Sequence, residues 1–257
     1  MKVRSQSSSI PKKRFEKPRR TCRESAFTSS AEVLRELNRL ANPEVRARMS
    51  HFGVRVQQAH GISAPVLHKL AKEISKDHEL ANQLWASEIR EARILATLIG
   101  EPEKVTSSEM DRWATAFDSW DVVDAACCYL YASTKFAWRK VSEWSGRPEV
   151  FVKRAGFSLA AYLAYKDRKA PDQKLALFLQ VIERESDDDR HFVKKAVNWA
   201  LRNIGKRNLR LNREAIRVAE KLRNRDSRAA RWIASDALRE LQSDAVQRRL
   251  RQKKADR

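Results

Sequence analysis

One short segment of the sequence gathers two aromatic and three carboxylate side chains: residues 117–124, FDSWDVVD. Trp120 and Asp124 are four residues apart, so in a helix they project from the same face, one turn from each other. An indole beside a carboxylate stabilises a cation, the ring through its face and the carboxylate through its formal charge. The segment therefore predicts a site for a positively charged group, on a helix that Ser119 caps.

An ordinary helix start explains the same residues. Trp120 would then pack in the core, and Asp118 and Asp121 would be acidic first-turn residues that the helix dipole favours. Spacing alone favours this second interpretation, and the functional one needs additional residues.

Two later segments, FVKRA at 151–155 and KKAVNWALR at 194–202, supply cations and a second indole. Lys195, Trp199 and Arg202 fall on one helical stripe, which suits a phosphate backbone with a flat surface between the contacts. The alternative is a solvated basic face with Trp199 packed inward. The candidate DNA-contacting cations of the two segments are Lys153, Arg154, Lys194, Lys195 and Arg202.

The charge of the chain points to a polyanionic partner. The 257 residues carry 53 Lys plus Arg against 33 Asp plus Glu, a net charge of +20, and the pI is near 10.3. Residues 1–30 contribute +7 and residues 246–257 contribute +5, so residues 31–245 keep +8. Nucleic acid is the leading candidate. We expect a disordered basic arm over 1–30, in preference to a transit peptide, one domain over 31–245 and a basic tail over 246–257.

Composition excludes several other classes. Three cysteines, Cys22, Cys127 and Cys128, cannot form an extracellular disulfide framework, and no Cys and His spacing matches a zinc site. No apolar run approaches the length of a membrane span, and the first residues lack the apolar core of a secretory signal. We therefore expect a monomer of the bacterial cytosol or nucleoid, with no cofactor, metal or membrane contact.

The elements that must position these residues are helices. Only six glycines occur, and apolar residues recur at intervals of three and four along most of the chain. Helices are predicted over residues 33–40, 66–74, 89–99, 109–117, 120–131, 150–163, 175–182, 193–204, 215–222 and 229–241. Many short helices without an alternating strand pattern predict an all-α, HEAT-like solenoid of antiparallel helix pairs, whose concave face forms a basic groove.

Several ordered segments resemble one family, the AlkD-type DNA alkylation-repair glycosylases, over approximately residues 45–245. The resemblance rests on the segments at 60–62 (HGI), 67–72 (LHKLAK), 91–96 (EARILA), 119–124 (SWDVVD), 151–155 (FVKRA) and 195–202 (KAVNWALR). It implies a fold of HEAT-like repeats, duplex DNA with alkylated bases as the partner, and excision of positively charged N3- or N7-alkylated purines. By matched position it implies Asp124 as the catalytic carboxylate, Trp120 and Trp199 as the flanking aromatics, and Arg154 as a contact to the DNA backbone.

Two other functions fit parts of the sequence. A noncatalytic DNA-binding solenoid that recognises damaged or branched DNA accounts for the charge and the repeats. A helical protein-interaction scaffold accounts for the repeats but leaves the basic groove and the Trp and Asp set unexplained.

Overall fold

The computed structural model describes residues 27, 29–54 and 56–255, without the side chains of Phe52 and of residues 253–255. The predicted N-terminal arm therefore lies almost wholly outside the described residues. Within them every regular element is helical and no strand occurs. The fourteen α-helices of the described part are α1 (Ser30–Arg39), α2 (Pro43–Met49), α3 (Ala64–Ile74), α4 (His78–Ala86), α5 (Arg90–Ile99), α6 (Ser107–Thr115), α7 (Trp120–Ala125), α8 (Ala137–Ser145), α9 (Val150–Lys166), α10 (Asp172–Glu185), α11 (His191–Gly205), α12 (Leu209–Arg223), α13 (Arg228–Leu241) and α14 (Asp244–Ala255).

The helices stack in two rows. In the first row, α3, α5, α7, α9, α11 and α13 each pack against the next. In the second row, α4 packs on α5, α8 on α9, α10 on α11 and α12 on α13. This arrangement confirms the predicted all-helical fold of stacked helix pairs. The predicted site residues all lie on three consecutive helices of the first row: α7, α9 and α11.

Apolar side chains between the rows form one continuous core. Aromatic rings contribute much of it near α7: Trp85 stacks on Trp113 with ring centroids 4.1 Å apart, and Tyr131 contacts both Trp113 and Trp144 edge-on or tilted. Tyr131 is 1% exposed. These large buried rings hold the helices on which the candidate site depends.

The predicted helix over 120–131 is only partly α-helical. The α-helix ends at Ala125, a π turn follows over Ala126–Leu130, and a 3₁₀ turn spans Tyr131–Ser133. Cys127 and Tyr131 are four apart and both buried. The π turn therefore lies within the core of the described chain.

The first part of the predicted basic tail is helical. Residues 244–255 form α14, and Val246 and Leu250 are buried against α12 and α13. Because these two side chains are four residues apart, they share one helical face. The array therefore extends beyond the predicted domain, and the first part of the predicted tail closes its end.

The tightest helix contact in the site region is at Gly156 on α9. A Cβ atom there would lie 2.6 Å from the Ser145 backbone nitrogen at the end of α8. Backbone cannot move away as a flexible side chain could. We expect Gly156→Ala to lower the free energy of unfolding by about 1–3 kcal/mol, in spite of alanine's better helix propensity. Urea unfolding measures the change.

The matched control is Gly146→Ala. Gly146 follows α8 at a negative φ, and a Cβ atom there would meet nothing within 4 Å. It should change stability by less than about 0.5 kcal/mol. Equal effects of the two substitutions would mean that the close approach of α8 and α9 does not limit residue 156.

Candidate functional site

The carboxylate of Asp124 is the centre of the site. It lies on the last turn of α7 and accepts two hydrogen bonds from α9: Arg154 Nη2 donates to Oδ2 at 2.8 Å, and Ser158 Oγ donates to Oδ1 at 2.9 Å. Arg154 and Ser158 are four apart and therefore share a helical face. The contacts fix the plane of the carboxylate, and each oxygen keeps a second lone pair.

Arg154 links all three helices of the site. Besides the pair with Asp124, its Nη1 donates to the backbone carbonyl of Phe192 on α11 at 2.9 Å, and its guanidinium carbon lies 5.7 Å from the Trp120 ring centroid. Arg154 is 6% exposed, and its Nε has no hydrogen-bond partner among the described residues. In this structure the guanidinium is thus engaged mainly with the carboxylate, and the predicted backbone contact to DNA remains a prediction.

Two opposing effects act on the Asp124 carboxyl. Burial raises its pKa above the ordinary value, and the Arg154 guanidinium and the Ser158 hydroxyl oppose that rise, with the net direction upward. The pair with Arg154 therefore favours the ionised form inside a site that otherwise penalises charge.

The side chain of Trp120 is partly exposed at the site and partly packed against the protein. It is half-buried, in contrast to the fully buried core tryptophan Trp113. The alternative interpretation of the segment as a helix start does describe its other carboxylates. Asp121 pairs with Arg90 and accepts from the Val122 backbone N–H in the first turn of α7, and Asp118 lies 3.5 Å from Arg93. Asp124, in contrast, lies on the last turn of α7 and pairs with Arg154.

Trp199 occupies the next helix of the row. Its half-buried ring meets Tyr162 edge-on, with ring centroids 4.9 Å apart and planes at 84°. Tyr162 lies one turn after Ser158 on α9, so one face of α9 carries Arg154, Ser158 and Tyr162 in succession. The surface that carries Trp120, Asp124, Arg154 and Trp199 is called the site face below.

Sequence reasoning missed Ser158 and Tyr162. Their spacing of four and eight residues from Arg154 is the signal that could have found them, once Arg154 is placed on the site face.

A neighbouring thiol is unsuited to nucleophilic chemistry. Cys127 is fully buried, and burial raises the pKa of its thiol well above the ordinary range. The neutral thiol donates to the Ala155 carbonyl at 3.5 Å. Since the thiolate is the reactive form, Cys127 has a structural role.

Lys153 lies on a different side of α9 from its neighbour Arg154. Its ammonium contacts Glu185 at 2.7 Å and Asp188 at 2.9 Å, and the residue is 8% exposed. Although burial opposes the change, Arg190 and Lys153 lower the pKa of Asp188 to about 2. Two carboxylates neutralise this cation, so its placement argues against the predicted contact to DNA.

The cations of α11 differ in availability. Lys195 is exposed and forms no ion pair with another described residue. The ammonium of Lys194 lies over the Trp232 ring, 5.2 Å from its centroid, while Arg202 pairs with Glu240 at 2.5 Å and lies 3.5 Å from Asp236. Lys194 and Lys195 thus present positive charge, and Arg202 mainly ties α11 to α13.

His191, the first residue of α11, lies near three cations. Burial, and then the charges of Lys195, Lys194 and Arg154, lower the pKa of His191. Three aspartates, residues 187–189, come just before this helix, and Asp188 pairs with Lys153 and Arg190. Cations and carboxylates therefore lie together at the start of α11.

No metal or membrane feature accompanies the site. The described residues contain no group of three or more His, Cys, Asp or Glu side chains that could hold a metal ion. None of the helices in the described part combines the length and apolar character needed to span a bilayer.

Fold and site together define a helical-repeat protein with an ionic, tryptophan-flanked centre on one row of its helices. The sequence matches the family described as DNA alkylation repair enzyme over residues 33–242, and the protein belongs to that family. The family resemblance seen in the sequence is thereby confirmed.

Among solved structures, one that is similar to this chain shares its fold. Its description is "A new family of proteins related to the HEAT-like repeat DNA glycosylases with affinity for branched DNA structures". The TM-score is 0.69 at 19% sequence identity, and the match covers 83% of this chain and 95% of that chain. At this identity the likeness establishes a HEAT-like fold. No curated protein matches the chain.

Proposed function

We propose that the protein is a monofunctional DNA glycosylase that hydrolyses the N-glycosidic bond of cationic N3- or N7-alkylated purines in duplex DNA. The observation that carries the proposal is the Asp124 carboxylate, held by Arg154 and Ser158 beside the half-exposed Trp120. Membership of the DNA alkylation repair enzyme family supports DNA as the substrate.

The proposed chemistry needs no acid. A purine alkylated at N3 or N7 carries a positive charge and leaves as a neutral base, so protonation of the leaving group is unnecessary. What remains is the oxocarbenium-like sugar, which a fixed carboxylate stabilises electrostatically while it orients the attacking water. Asp124 has the fixed geometry for this role and keeps lone pairs for a water molecule.

The indole rings of Trp120 and Trp199 would attract the positively charged lesion and its sugar. The face of an aromatic ring attracts a positive charge, and the attraction grows where water is excluded. Trp120 already has the Arg154 guanidinium near its ring, and Tyr162 orients Trp199. In the proposed mechanism these two rings hold the positive charge between them.

The lesion need not enter an enclosed pocket. A cleft of about 810 Å³ and another of about 520 Å³ lie in the described part of the chain, and neither is lined by Trp120, Asp124 or Trp199. Trp120 and Trp199 are only half-buried, so their rings reach the protein surface. This exposure supports action on a lesion that stays accessible from the duplex, in contrast to enzymes that extrude the base into a pocket. We propose that Lys194 and Lys195 contact phosphates on the same face.

A second candidate function is noncatalytic binding of branched DNA. The structural neighbour's description, affinity for branched DNA structures, favours it. In that case Asp124 would serve only as the partner of Arg154, and removal of its charge would leave no chemical step to affect.

Lesion charge tests the proposed mechanism. Duplexes with one N7-methylguanine or one neutral O6-methylguanine are incubated with the full chain, and the free base and strand integrity are measured. We expect release of the cationic base only, with the strand intact at the abasic site. Equal release of both bases would contradict stabilisation by the Asp124 carboxylate alone.

The raised pKa of Asp124 predicts an acid limb. Because the ionised carboxylate is the active form, excision should fall as the pH drops through its pKa, and the midpoint should lie above 3.8, the ordinary value. The measurement is the single-turnover rate against pH, corrected for spontaneous depurination. Residual excision by Asp124→Asn should lack this limb, and an identical limb in that variant would assign it to another group.

A further inference from the structure

The larger of the two clefts lies beyond the site face. It has a volume of about 810 Å³ and is formed by the end of α9, the end of α11, the start of α12 and part of α14. The side chains that matter for its chemistry are Tyr165, Arg168, Asn203, Lys206, Arg213 and Arg249. The proposed excision uses none of them.

The cleft is strongly basic, and part of its charge is unpaired. Arg168, Arg213 and Arg249 are exposed, and their guanidinium groups form no hydrogen bond or ion pair with other described residues. Among the described lining residues the one carboxylate is Asp172, which accepts a hydrogen bond from Asn208 at 2.8 Å. An excess of unpaired arginine around a concave surface fits a ligand with several phosphates.

An exposed aromatic ring lies in the same cleft. Tyr165 is 70% exposed and is one of the few large hydrophobic side chains outside the core of the described chain. Exposed rings between cations are stacking platforms for the bases of single strands. In a duplex the base faces are already stacked, so this ring favours an unpaired strand over a paired one.

The cleft continues the site face. Tyr165 lies about one turn after Tyr162, whose ring contacts Trp199, and Asn203 lies one turn after Trp199 on α11. A helical turn advances about 5.4 Å, comparable to the spacing of neighbouring nucleotides. A strand that leaves the site face at Trp199 would therefore reach Tyr165 without a gap.

We propose that this cleft binds a single-stranded DNA segment adjoining the duplex on the site face, with a base stacked on Tyr165 and phosphates held by Arg168, Arg213 and Arg249. The inference rests on the proposed binding of DNA by the site face and is independent of the excision chemistry. It gives the protein a preference for duplexes with an unpaired end or branch.

The test compares a blunt duplex with the same duplex carrying an unpaired tail of about ten nucleotides, on either the 5′ or the 3′ side. Binding of the full chain is measured by fluorescence anisotropy at several salt concentrations. The wild-type protein should bind one tailed duplex about tenfold more tightly than the blunt one. Tyr165→Ala should remove most of that difference, and because the side chain is exposed the fold should survive, which thermal unfolding checks.

The arginines are tested separately. Arg168→Gln/Arg213→Gln should reduce the salt dependence of tail binding by about 1.4 in the log–log slope, because each single-strand phosphate contributes about 0.7. The matched control is Arg35→Gln/Arg223→Gln, which removes two exposed arginines outside the cleft. The control should keep the tail preference.

Three outcomes would overturn the proposal: no tail preference in the wild type, a preference that survives both cleft variants, or an equal loss of blunt and tailed binding. The last would make the cleft a surface for duplex phosphates. Asp124→Asn should keep the tail preference. Excision without tail preference would therefore remove this inference alone, and tail preference without excision would remove the proposed glycosylase alone.

Discussion

Replacing Asp124 with asparagine is expected to slow the excision of N7-methylguanine by about a hundredfold or more, with duplex binding close to unchanged and the protein folded but less stable, because the buried Arg154 loses its counter-charge. Asparagine keeps the size and one acceptor oxygen but loses the formal charge that faces the developing oxocarbenium. Removal of one preorganised group of this kind commonly raises the barrier by about 3–4 kcal/mol. Single-turnover excision and anisotropy on the same duplex measure the two quantities.

The chain offers a matched control in Asp121→Asn. Asp121 is one turn earlier on α7 and pairs with Arg90, outside the contacts of Arg154 and Ser158. Asparagine keeps an acceptor for the Val122 backbone N–H at the start of α7, so this substitution should change excision by less than about threefold. A similar loss in both variants would indicate distortion of α7, and the special role of Asp124 would then be unsupported.

Replacing Arg154 with alanine should have the second largest effect, on stability and chemistry together. The Asp124 carboxylate would lose its cation and the Phe192 carbonyl its donor. We expect the free energy of unfolding at neutral pH to fall by about 2–3 kcal/mol, less than for a fully enclosed pair because the Asp124 side chain is 17% exposed. With burial opposed by the Ser158 hydroxyl alone, the pKa of Asp124 should rise further and shift the acid limb of excision to higher pH.

Arg154→Lys separates two roles of this side chain. If Arg154 acts by holding the carboxylate ionised, the positive charge of lysine should favour the ionised form as well, although lysine cannot make the same hydrogen bonds. The midpoint of the acid limb should then lie between those of the wild type and Arg154→Ala. If Arg154 instead contacts a DNA phosphate, as the family resemblance implies, Arg154→Ala should weaken duplex binding and leave excision by the bound complex unchanged. The pH profile and the binding constant distinguish the two results.

The sequence could bring Trp120 and Asp124 together because their relation is local. Trp120 and Asp124 are four residues apart on one helix, and the resemblance extended the set to Arg154 and Trp199. The partners of the predicted cations could not be predicted in the same way. The carboxylates that engage Lys153 and Arg202 are more than thirty residues away in sequence: Glu185 on α10, Asp188 in the connection between α10 and α11, and Glu240 on α13. A basic side chain in isolation therefore resembled a phosphate contact.

Helices were predictable from the sequence where apolar residues recur at helical spacing over several turns. They were missed where contacts with other helices, and no long apolar pattern, stabilise the element. The segments that form α5, α9 and α11 have several apolar turns, and their positions agree with the prediction. Helix α14 presents mainly Val246 and Leu250 among many charges, and burial against α12 and α13 makes it part of the array. The π turn after Ala125 also carries buried side chains, and the apolar pattern alone does not distinguish it from a continued α-helix.

The release of free N7-methylguanine from a lesion-bearing duplex by excess wild-type protein tests the central claim most directly. Anisotropy of the same samples shows whether the duplex is bound, and a sample without protein gives the spontaneous rate. The glycosylase mechanism predicts release well above the spontaneous rate, with intact strands that break at the abasic site only after alkali. Release no faster than the spontaneous rate from duplex that is demonstrably bound would contradict it and would favour a noncatalytic DNA-binding protein.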